Sequence, residues 1–563
     1  MKFSKALTSF VLRYGILAWL AAGVVWYVIV STLADGISCD EGYYLMGYLR
    51  GQNIDGQGSD FHSIVRALCC AFSDEDIMVF RYMRLALNSL AIIVFALSSY
   101  WWLSKKKGLA ISRWAYYPMV ALAGAMSFTF AAPTISYDSL EVIIALLATS
   151  MLFVQLSGDR GWVKNLAAIG LGFFLWFGIT NYPPAGMCLL VLFAILFFME
   201  YGQGKWWGLV SATVGFILAI LIQHLCVHDL HSWFPEVEKM FVSFFTETSH
   251  SHHDSSSLFS GMLLTVGKQA LVLIPIAALS FLFYRKVRLP EWLNWGLVVA
   301  LCLFLLVYRH VYELRGTLML IPVALMLGKV LASTTLTKGG KRFQFSIFNF
   351  QFLITLLIFV AIPFAGVFGT NQAIMRKSIM FTPFWLLAYY ILSTRLKETH
   401  RLNLIFLTLL FAGYVYLGNF QRYQYYYTPR SSKHELVGAS RPQSVKVSKY
   451  QQEYYRDLLD SLRLAGCQPG DRYIAFEEDL MAVYLAGGYI EGRLPYHWWQ
   501  YTEISQEAPT AFILFKSEEE DVLHHFESVG WQFPESYRRM EMRQAAENMG
   551  DNLRTVIYVR KQD

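Results

Sequence analysis

The feature that most constrains this chain is a series of about thirteen apolar stretches that recur along its first 420 residues. A helix needs about 20 apolar residues to cross the hydrocarbon core of a bilayer, and each stretch has roughly that length. The stretches are centred near residues 23, 91, 122, 148, 172, 192, 216, 272, 300, 324, 357, 385 and 411. Only 16% of the residues are charged, whereas a soluble domain carries about 25%. The sequence therefore predicts an all-α polytopic membrane protein with about 13 transmembrane helices.

Basic residues occupy every second loop, and this alternation predicts how the chain is oriented. Lys and Arg are enriched in cytoplasmic loops. The basic clusters lie at 2–13, 105–113, 160–164, 285–288, 338–342 and 395–401. These loops and the N-terminus are therefore expected in the cytoplasm, and the alternate loops outside. Because Lys and Arg cluster in these short loops, the net charge of +6 does not indicate nucleic acid binding, and we expect no nucleic acid partner.

The chain changes character after about residue 420, where charged residues become frequent and soluble patterns replace the apolar stretches. We therefore divide it into a transmembrane domain over 1–420 and a small, soluble, periplasmic α/β domain over 421–563. Apolar runs rich in β-branched and aromatic residues predict strands there, and a 3.6-residue period predicts helices. The predicted elements are helices over 449–465 and 517–529, the latter capped by Ser517, and strands over 473–476, 511–515 and 555–559.

Two of the predicted outer loops are long, over 35–79 and 229–258, and the first contains the adjacent Asp40 and Glu41. Ionised groups cost several kcal/mol to bury unpaired, so packing explains two neighbouring carboxylates poorly. Catalysis at the membrane surface explains them better. The alternative is that they cap the first turn of an interfacial helix, where acidic residues are favoured.

Further ionisable groups lie at the predicted outer ends of other spans. A carboxylate that acts as general base, combined with several Arg side chains, suits transfer from a phosphate-linked donor, because Arg neutralises the leaving phosphate. Two simpler interpretations stay open: an acidic residue there could cap its helix, and Arg side chains could be interface anchors. The residues are Asp138 at the fourth span, Arg81 and Arg84 at the second, and Arg309, Glu313 and Arg315 at the tenth.

Four short stretches resemble the GT-C superfamily of polyprenyl-phosphate-sugar-dependent glycosyltransferases, and within it the bacterial aminoarabinose transferase and protein O-mannosyltransferase group. Their order, spacing and common sidedness match the family over roughly residues 10 to 335. The stretches are Cys39–Tyr44, Phe80–Leu85, Tyr137–Leu140 and Arg315–Pro322. One departure is Asn181, which stands where relatives often carry Lys.

The resemblance implies an integral-membrane glycosyltransferase of the bacterial inner membrane. Such an enzyme moves a sugar from a polyprenyl-phosphate donor to an acceptor on the periplasmic face, which is a lipid, an envelope polysaccharide or a protein. By the same resemblance Asp40 is the general base, Glu41 supports it or orients the acceptor, Asp138 binds polar groups of donor or acceptor, and Arg315, with Arg84 as a further candidate, holds the phosphate. The complete set of candidate donor- or acceptor-binding residues is Tyr44, Arg81, Arg84, Tyr137, Asp138, Arg309, Glu313 and Arg315.

The second long loop contains a histidine cluster around His252 and His253, whose spacing is loosely that of a metal site. A divalent metal ion is therefore a candidate cofactor, and a solvated loop without metal is the alternative. In the first loop Cys39 could form a disulfide with Cys69 or Cys70 if the loop is periplasmic.

The main alternative function is a flippase or other transporter of lipid-linked sugars. Transporters often contain two similar halves and helices that are broken near the bilayer midplane. The sequence shows no such halves, and its carboxylates and Arg residues concentrate on one predicted face of the membrane. Both observations favour the transferase.

Overall fold

The structure of this protein is a computed structural model. It describes residues 15–37, 40–49, 61–69, 76–109, 112–129, 133–200, 205–226, 258–286, 314–335, 350–369, 374–396, 407–415, 434–438, 442–476, 479–490, 508–530, 535–545 and 554–561, with the short pieces 233–235 and 237–238 and the single residues 242, 300, 494 and 498.

Helices account for most of the described chain before residue 420. In chain order they are α1 (Ile16–Ser31), α2 (Glu41–Tyr48), α3 (Phe61–Cys69), α4 (Ile77–Trp102), α5 (Arg113–Ala125), α6 (Tyr137–Ser157), α7 (Gly161–Asn181), α8 (Pro183–Glu200), α9 (Lys205–Cys226), α10 (Leu258–Lys286), α11 (Leu314–Thr335), α12 (Phe350–Ala365), α13 (Ile374–Lys377) and α14 (Thr382–Ser393).

Among the described residues, seven helices are long and apolar enough to cross a membrane. They correspond to α4, α6, α7, α8, α9, α10 and α11, and they confirm a mostly helical, multi-span membrane protein. The helices α1 and α12 are apolar but shorter. The apolar stretch near residue 300 lies largely outside the described residues and the one near 411 lies partly outside them, so the number thirteen stays a prediction.

The chain divides into two compact units. The first comprises Met1–Val28, Leu87–Ala131 and Tyr137–Tyr416. The second comprises Ile29–Ala86, Ala132–Ser136 and Leu417–Asp563. The first long loop therefore belongs to the same unit as the C-terminal tail, although the chain places them far apart.

In the first unit, α7 and α9 pack with their backbones in direct contact. A Cβ atom on Gly172 would lie 1.8 Å from the carbonyl oxygen of Ala212, and one on Gly215 would lie 1.9 Å from that of Ile169. Small residues permit this approach between membrane helices, where van der Waals packing drives association. Any larger side chain at either glycine would force the two helices apart.

The tail of the second unit contains the predicted α/β elements. Strands β1 (His434–Val437) and β2 (Pro442–Val447) form an antiparallel pair. Strands β3 (Tyr473–Ala475), β4 (Ala511–Phe515), β5 (Tyr537–Ala545) and β6 (Arg554–Arg560) form a four-stranded sheet in the order β3–β4–β6–β5. Within this sheet β3 and β4 are parallel neighbours, and the pairs β4–β6 and β5–β6 are antiparallel. The described part of the tail contains the helices α15 (Lys449–Leu464), α16 (Leu480–Ala486) and α17 (Glu519–Ser528).

Most of the tail elements predicted from the sequence are confirmed, but one helix cap is wrong. The N-cap of α17 is Glu518, and a 3₁₀ turn over Lys516–Glu518 precedes it, so Ser517 lies inside that turn. A side-chain cap does occur on α15, where the Ser448 hydroxyl accepts a hydrogen bond from the Gln451 amide at 3.1 Å. Strands β1, β2 and β5 were not predicted.

Candidate functional site

Asp40 occupies the N-cap position of α2, but its side chain does not cap the helix. Its backbone has φ −74° and ψ −8°, and the side chain makes no capping hydrogen bond. A capping Asp normally has an extended backbone, which brings its carboxylate over the amides of the first turn. The helical backbone of Asp40 prevents this, so the capping interpretation fails for this residue.

The neighbouring carboxylate of Glu41 is used entirely differently. Its side chain is fully buried, and it accepts two hydrogen bonds from the Arg81 guanidinium, at 2.9 Å from Nε and 2.6 Å from Nη2. Two parallel bonds of this kind are the strongest arrangement of a carboxylate with Arg. A buried ion pair is stable only when its remaining polar atoms are also satisfied.

Arg81 meets that requirement through the backbone of the preceding loop. Its Nη1 donates to the carbonyl of Leu33 at 2.7 Å, and its Nη2 donates to that of Gly36 at 2.6 Å. Four of its five N–H groups are therefore directed at protein acceptors. Arg81 is fully buried and joins the segment after α1, the start of α2 and the start of α4, which an interface anchor pointing into headgroups would not do.

Helix α3 packs against α2 and encloses its aromatic side. The Tyr43 and His62 rings lie 5.1 Å apart edge to face, and the Arg66 side chain donates to the Gly47 carbonyl at 2.7 Å. A Cβ on Gly47 would lie 1.9 Å from the His62 ring, so a glycine is required there. Burial lowers the pKa of His62 well below its ordinary value, which keeps the imidazole neutral. Tyr44 is buried in the same helix.

In the first unit, Asp138 lies in the first turn of α6 and pairs with Lys377. The Lys377 Nζ is 3.0 Å from the Asp138 Oδ1 and 2.7 Å from the Tyr137 hydroxyl, and it lies over the Tyr137 ring at 4.8 Å. The Lys377 side chain is 1% exposed and that of Asp138 is 12% exposed. Asp138 is therefore half of an ion pair at a helix start, and it is not an N-cap.

The carboxylate of Glu141 lies one turn further along α6. Its Oε2 accepts a hydrogen bond from the Asn181 Nδ2 at 2.7 Å, and the same nitrogen donates to the Tyr137 carbonyl at 3.0 Å. The Glu141 Oε1 is buried and has no hydrogen-bond partner among the described residues. Asn181, the departure from the family pattern, therefore serves to hold α6 against α7.

Arg315 lies at the start of α11, and the backbone places it near Lys377. A Cβ on the next residue, Gly316, would lie 2.9 Å from the Met375 carbonyl oxygen and 3.0 Å from the Ser378 Oγ. The start of α11 therefore runs against the segment 375–378, which carries Lys377. Two basic residues from separate helices thus lie on neighbouring segments.

Other predicted site residues are less well placed by the structure. Arg84 is fully buried in α4, one turn after Arg81. Arg309, Glu313, His252 and His253 lie outside the described residues, as do Cys39 and Cys70, so their roles stay predictions. Within the described part of the chain, no group of three His, Cys, Asp or Glu residues could hold a metal ion.

Sequence reasoning missed three residues of the Asp138 cluster, namely Lys377, Glu141 and Asn181. One signal could have found Lys377. The pair Arg376 and Lys377 follows a loop predicted to lie outside, where basic residues are unfavourable. A basic pair in such a position indicates either a buried acidic partner or an anionic ligand.

The sequence matches no protein-family model and no curated protein. Two solved structures are similar over nearly the full length of the chain. ArnT from Cupriavidus metallidurans in the apo state is 10% identical, with a TM-score of 0.39 and 98% of each chain covered. ArnT from the same organism bound to undecaprenyl phosphate is 11% identical, with a TM-score of 0.40 and 97% of each chain covered. ArnT is a GT-C polyprenyl-phosphate-dependent aminoarabinose transferase.

Proposed function

We propose that this protein is an integral-membrane glycosyltransferase that moves a sugar from a polyprenyl-phosphate donor to an acceptor hydroxyl or amine. The observation that carries the proposal is that the adjacent Asp40 and Glu41 side chains have different environments. Glu41 is buried and bound by Arg81 through both oxygens, whereas Asp40 is half-buried and does not cap its helix. A structural role accounts for the Glu41 carboxylate, whereas the structure excludes a capping role for the Asp40 side chain.

In the proposed reaction, the Asp40 carboxylate accepts the proton of the acceptor group. The acceptor oxygen or nitrogen then forms a bond to the anomeric carbon of the sugar. The bond between that carbon and the phosphate oxygen breaks, and the polyprenyl phosphate leaves with the electron pair. General base assistance of this kind is worth about 10²- to 10⁴-fold. Attack opposite the leaving group inverts the anomeric centre, as the family resemblance implies.

Glu41 and Arg81 are assigned a positioning role in this proposal. Their buried bidentate pair fixes the first residue of α2 to the Leu33 and Gly36 carbonyls. Asp40 is the residue immediately before that pair, so its backbone is held on the N-terminal side of the helix. A general base must be fixed within hydrogen-bond reach of the proton that it removes.

We further propose that the segment 375–378 and the start of α11 bind an anionic group of the substrate. Ionisable residues at membrane depth are functional candidates by default. Lys377 supplies a charge that Asp138 and the Tyr137 hydroxyl keep in one orientation. Arg315 supplies the geometry for bidentate binding of a phosphate. The donor phosphate is the anion that the proposed reaction provides.

The proposal is tested by transfer in proteoliposomes that contain the purified full-length protein. The donor is the lipid-linked sugar fraction extracted from bacterial membranes that lack the protein, and release of polyprenyl phosphate is measured. We expect release with the wild-type protein and at least 10²-fold less with Asp40→Asn. The matched control is Asp460→Asn, since Asp460 is exposed on α15 and, within the described part of the chain, forms an ion pair with nearby Arg463.

The outcomes separate the two candidate functions. A flippase would move the donor across the bilayer and leave its sugar–phosphate bond intact. Donor translocation without release of polyprenyl phosphate would therefore contradict the transferase. Wild-type release by Asp40→Asn would remove Asp40 from the proposed mechanism.

A further inference from the structure

A single strand of the tail is bound to both ends of the first long loop. At the first end, strand β2 forms two backbone hydrogen bonds with the segment 34–36. The Gly36 amide donates to the Lys446 carbonyl at 2.6 Å, and the Lys446 amide donates to the Ala34 carbonyl at 2.7 Å. Asp35 and Lys446 form a parallel β-bridge as a result. This contact lies four residues before Asp40.

The second end of the loop is bound by side chains of the same strand. The Ile77 amide, at the start of α4, donates to the Gln443 Oε1 at 3.1 Å. The Ser444 hydroxyl donates to the Asp76 Oδ2 at 2.5 Å, while the Asp76 Oδ1 accepts from the Met78 amide at 2.9 Å. Gln443 is 9% exposed, so its hydrogen bond is largely shielded from water.

Helix α16 makes the third contact, at Gly42, two residues after Asp40 in the sequence. A Cβ on Gly42 would lie 2.2 Å from the Met481 amide nitrogen and 2.7 Å from its Cα. Because the obstructing atoms belong to the backbone, they cannot rotate away as a side chain would. The first turn of α2 and the first turn of α16 therefore touch at a point where only glycine fits.

We infer that Gln443, Ser444, Lys446 and the start of α16 form a clasp that positions Asp40 for catalysis. The inference rests on the proposed function for the role of Asp40, and on the contacts above for the clasp itself. Closing a loop this long has an entropic cost. If the clasp opened, the two ends of the loop would therefore separate. A displacement of about 1 Å at a catalytic group can lower the rate as much as 10²-fold. In this view the clasp residues are positioning residues, which act through α2 and the loop.

The test replaces the Gln443 acceptor without changing the size of the side chain. Gln443→Met removes the oxygen that binds the Ile77 amide, and Gln443→Glu retains an acceptor oxygen at the N-terminal end of α4, where negative charge is favourable. The matched control is Gln452→Met, because the exposed Gln452 side chain donates to the Glu435 carbonyl of β1 and does not contact the first long loop in the described part of the chain. All variants are made in the full-length protein.

Two measurements are needed, and the first does not depend on any activity. Hydrogen exchange of the amides in 34–37, 40–49 and 76–80 reports opening of the clasp, and we expect about 5- to 10-fold faster exchange in Gln443→Met alone. The second is the release of polyprenyl phosphate from the same lipid-linked sugar fraction. We expect kcat to fall about 10-fold in Gln443→Met with KM for the donor within twofold, and near wild-type kcat in Gln443→Glu.

Each contrary result overturns a defined part of the inference. Unchanged exchange in Gln443→Met would show that the hydrogen bond does not hold the loop. Faster exchange with unchanged kcat would make the clasp structural and end its positioning role. Full activity of Asp40→Asn combined with faster exchange in Gln443→Met would contradict the proposed function while leaving the clasp itself in place.

Discussion

The Glu41–Arg81 and Asp138–Lys377 ion pairs solve the same electrostatic problem in different ways. In the Glu41–Arg81 pair both side chains are 0% exposed, and Arg81 also binds two backbone carbonyls. In the Asp138–Lys377 pair the carboxylate is 12% exposed, and a single Nζ donates to Asp138 and the Tyr137 hydroxyl. The first pair has few unused donors and acts as a cross-link. The second has a compact charge that can exchange one oxygen partner for another, which suits a ligand.

The largest expected effect comes from breaking the cross-link. Arg81→Met should destabilise the folded protein by about 3–5 kcal/mol, because it leaves the Glu41 carboxylate buried without its partner. Thermal unfolding of the purified protein in detergent measures the change. The control is Arg463→Met, which removes the exposed partner of Asp460 and should change stability by about 0–1 kcal/mol. Equal effects of the two variants would contradict the cross-link.

The next prediction concerns the charge of the second pair. Lys377→Met should weaken binding of polyprenyl phosphate about 10- to 100-fold, the range expected for loss of a charge-assisted hydrogen bond. Lys105→Met is the control, since Lys105 also pairs with an aspartate, Asp159, at the opposite end of α6. Titration of each variant with the lipid in detergent gives the affinities. An unchanged affinity in Lys377→Met would return Lys377 to a purely structural role.

A subtler change distinguishes charge from geometry at the start of α11. Arg315→Lys keeps the positive charge but removes the planar fork that binds two phosphate oxygens at once. We expect a loss of about 1–3 kcal/mol in the free energy of polyprenyl phosphate binding, with expression unaffected. The same titration measures it. If Lys at 315 binds as well as Arg, the phosphate must be held by Lys377 or by another of the predicted Arg residues.

The smallest expected effect is a dependence of stability on pH in the unit that contains the cross-link. The pKa of His62 is lowered on folding by burial, so the unfolded chain binds more protons than the folded one below about pH 6.5. The stability contributed by neutral His62 is therefore complete above that value and is lost as the pH falls. Between pH 7.5 and 5.5 the loss should be on the order of 1 kcal/mol. Unfolding curves of wild type and His62→Gln should diverge over that interval, and parallel curves would contradict the prediction.

The sequence was sufficient to identify the membrane class and to select Asp40 and Glu41, because both signals are local. Apolar length reports a spanning helix, and two adjacent carboxylates are conspicuous beside one. It could not separate the roles of the two residues. The difference depends on the contact of Glu41 with Arg81, 40 residues away, and on the backbone conformation of Asp40. Neither can be deduced from the residue types in the motif.

The Asp138 cluster shows the opposite difficulty. Asp138 was selected as an ionisable group at the outer end of a span and Tyr137 by resemblance, but Lys377 approaches from a segment 239 residues further along the chain. No periodicity links such distant positions, and the sequence analysis did not select Lys377. Asn181 was noted only as a departure from the family pattern, and its contact with Glu141 becomes apparent when α6 and α7 lie side by side.

Gly42 has a consequence for how the protein is made. The residue is translated within the first tenth of the chain, but the Met481 backbone against which it packs is translated in the last fifth. Helix α2 therefore lacks its contact with α16 while most of the membrane segments are synthesised and inserted. Domains emerge and fold from the N-terminus during translation, so α2 completes its packing only when the tail arrives. A ribosome that stops before the tail would release a membrane protein whose Asp40 loop has never been closed.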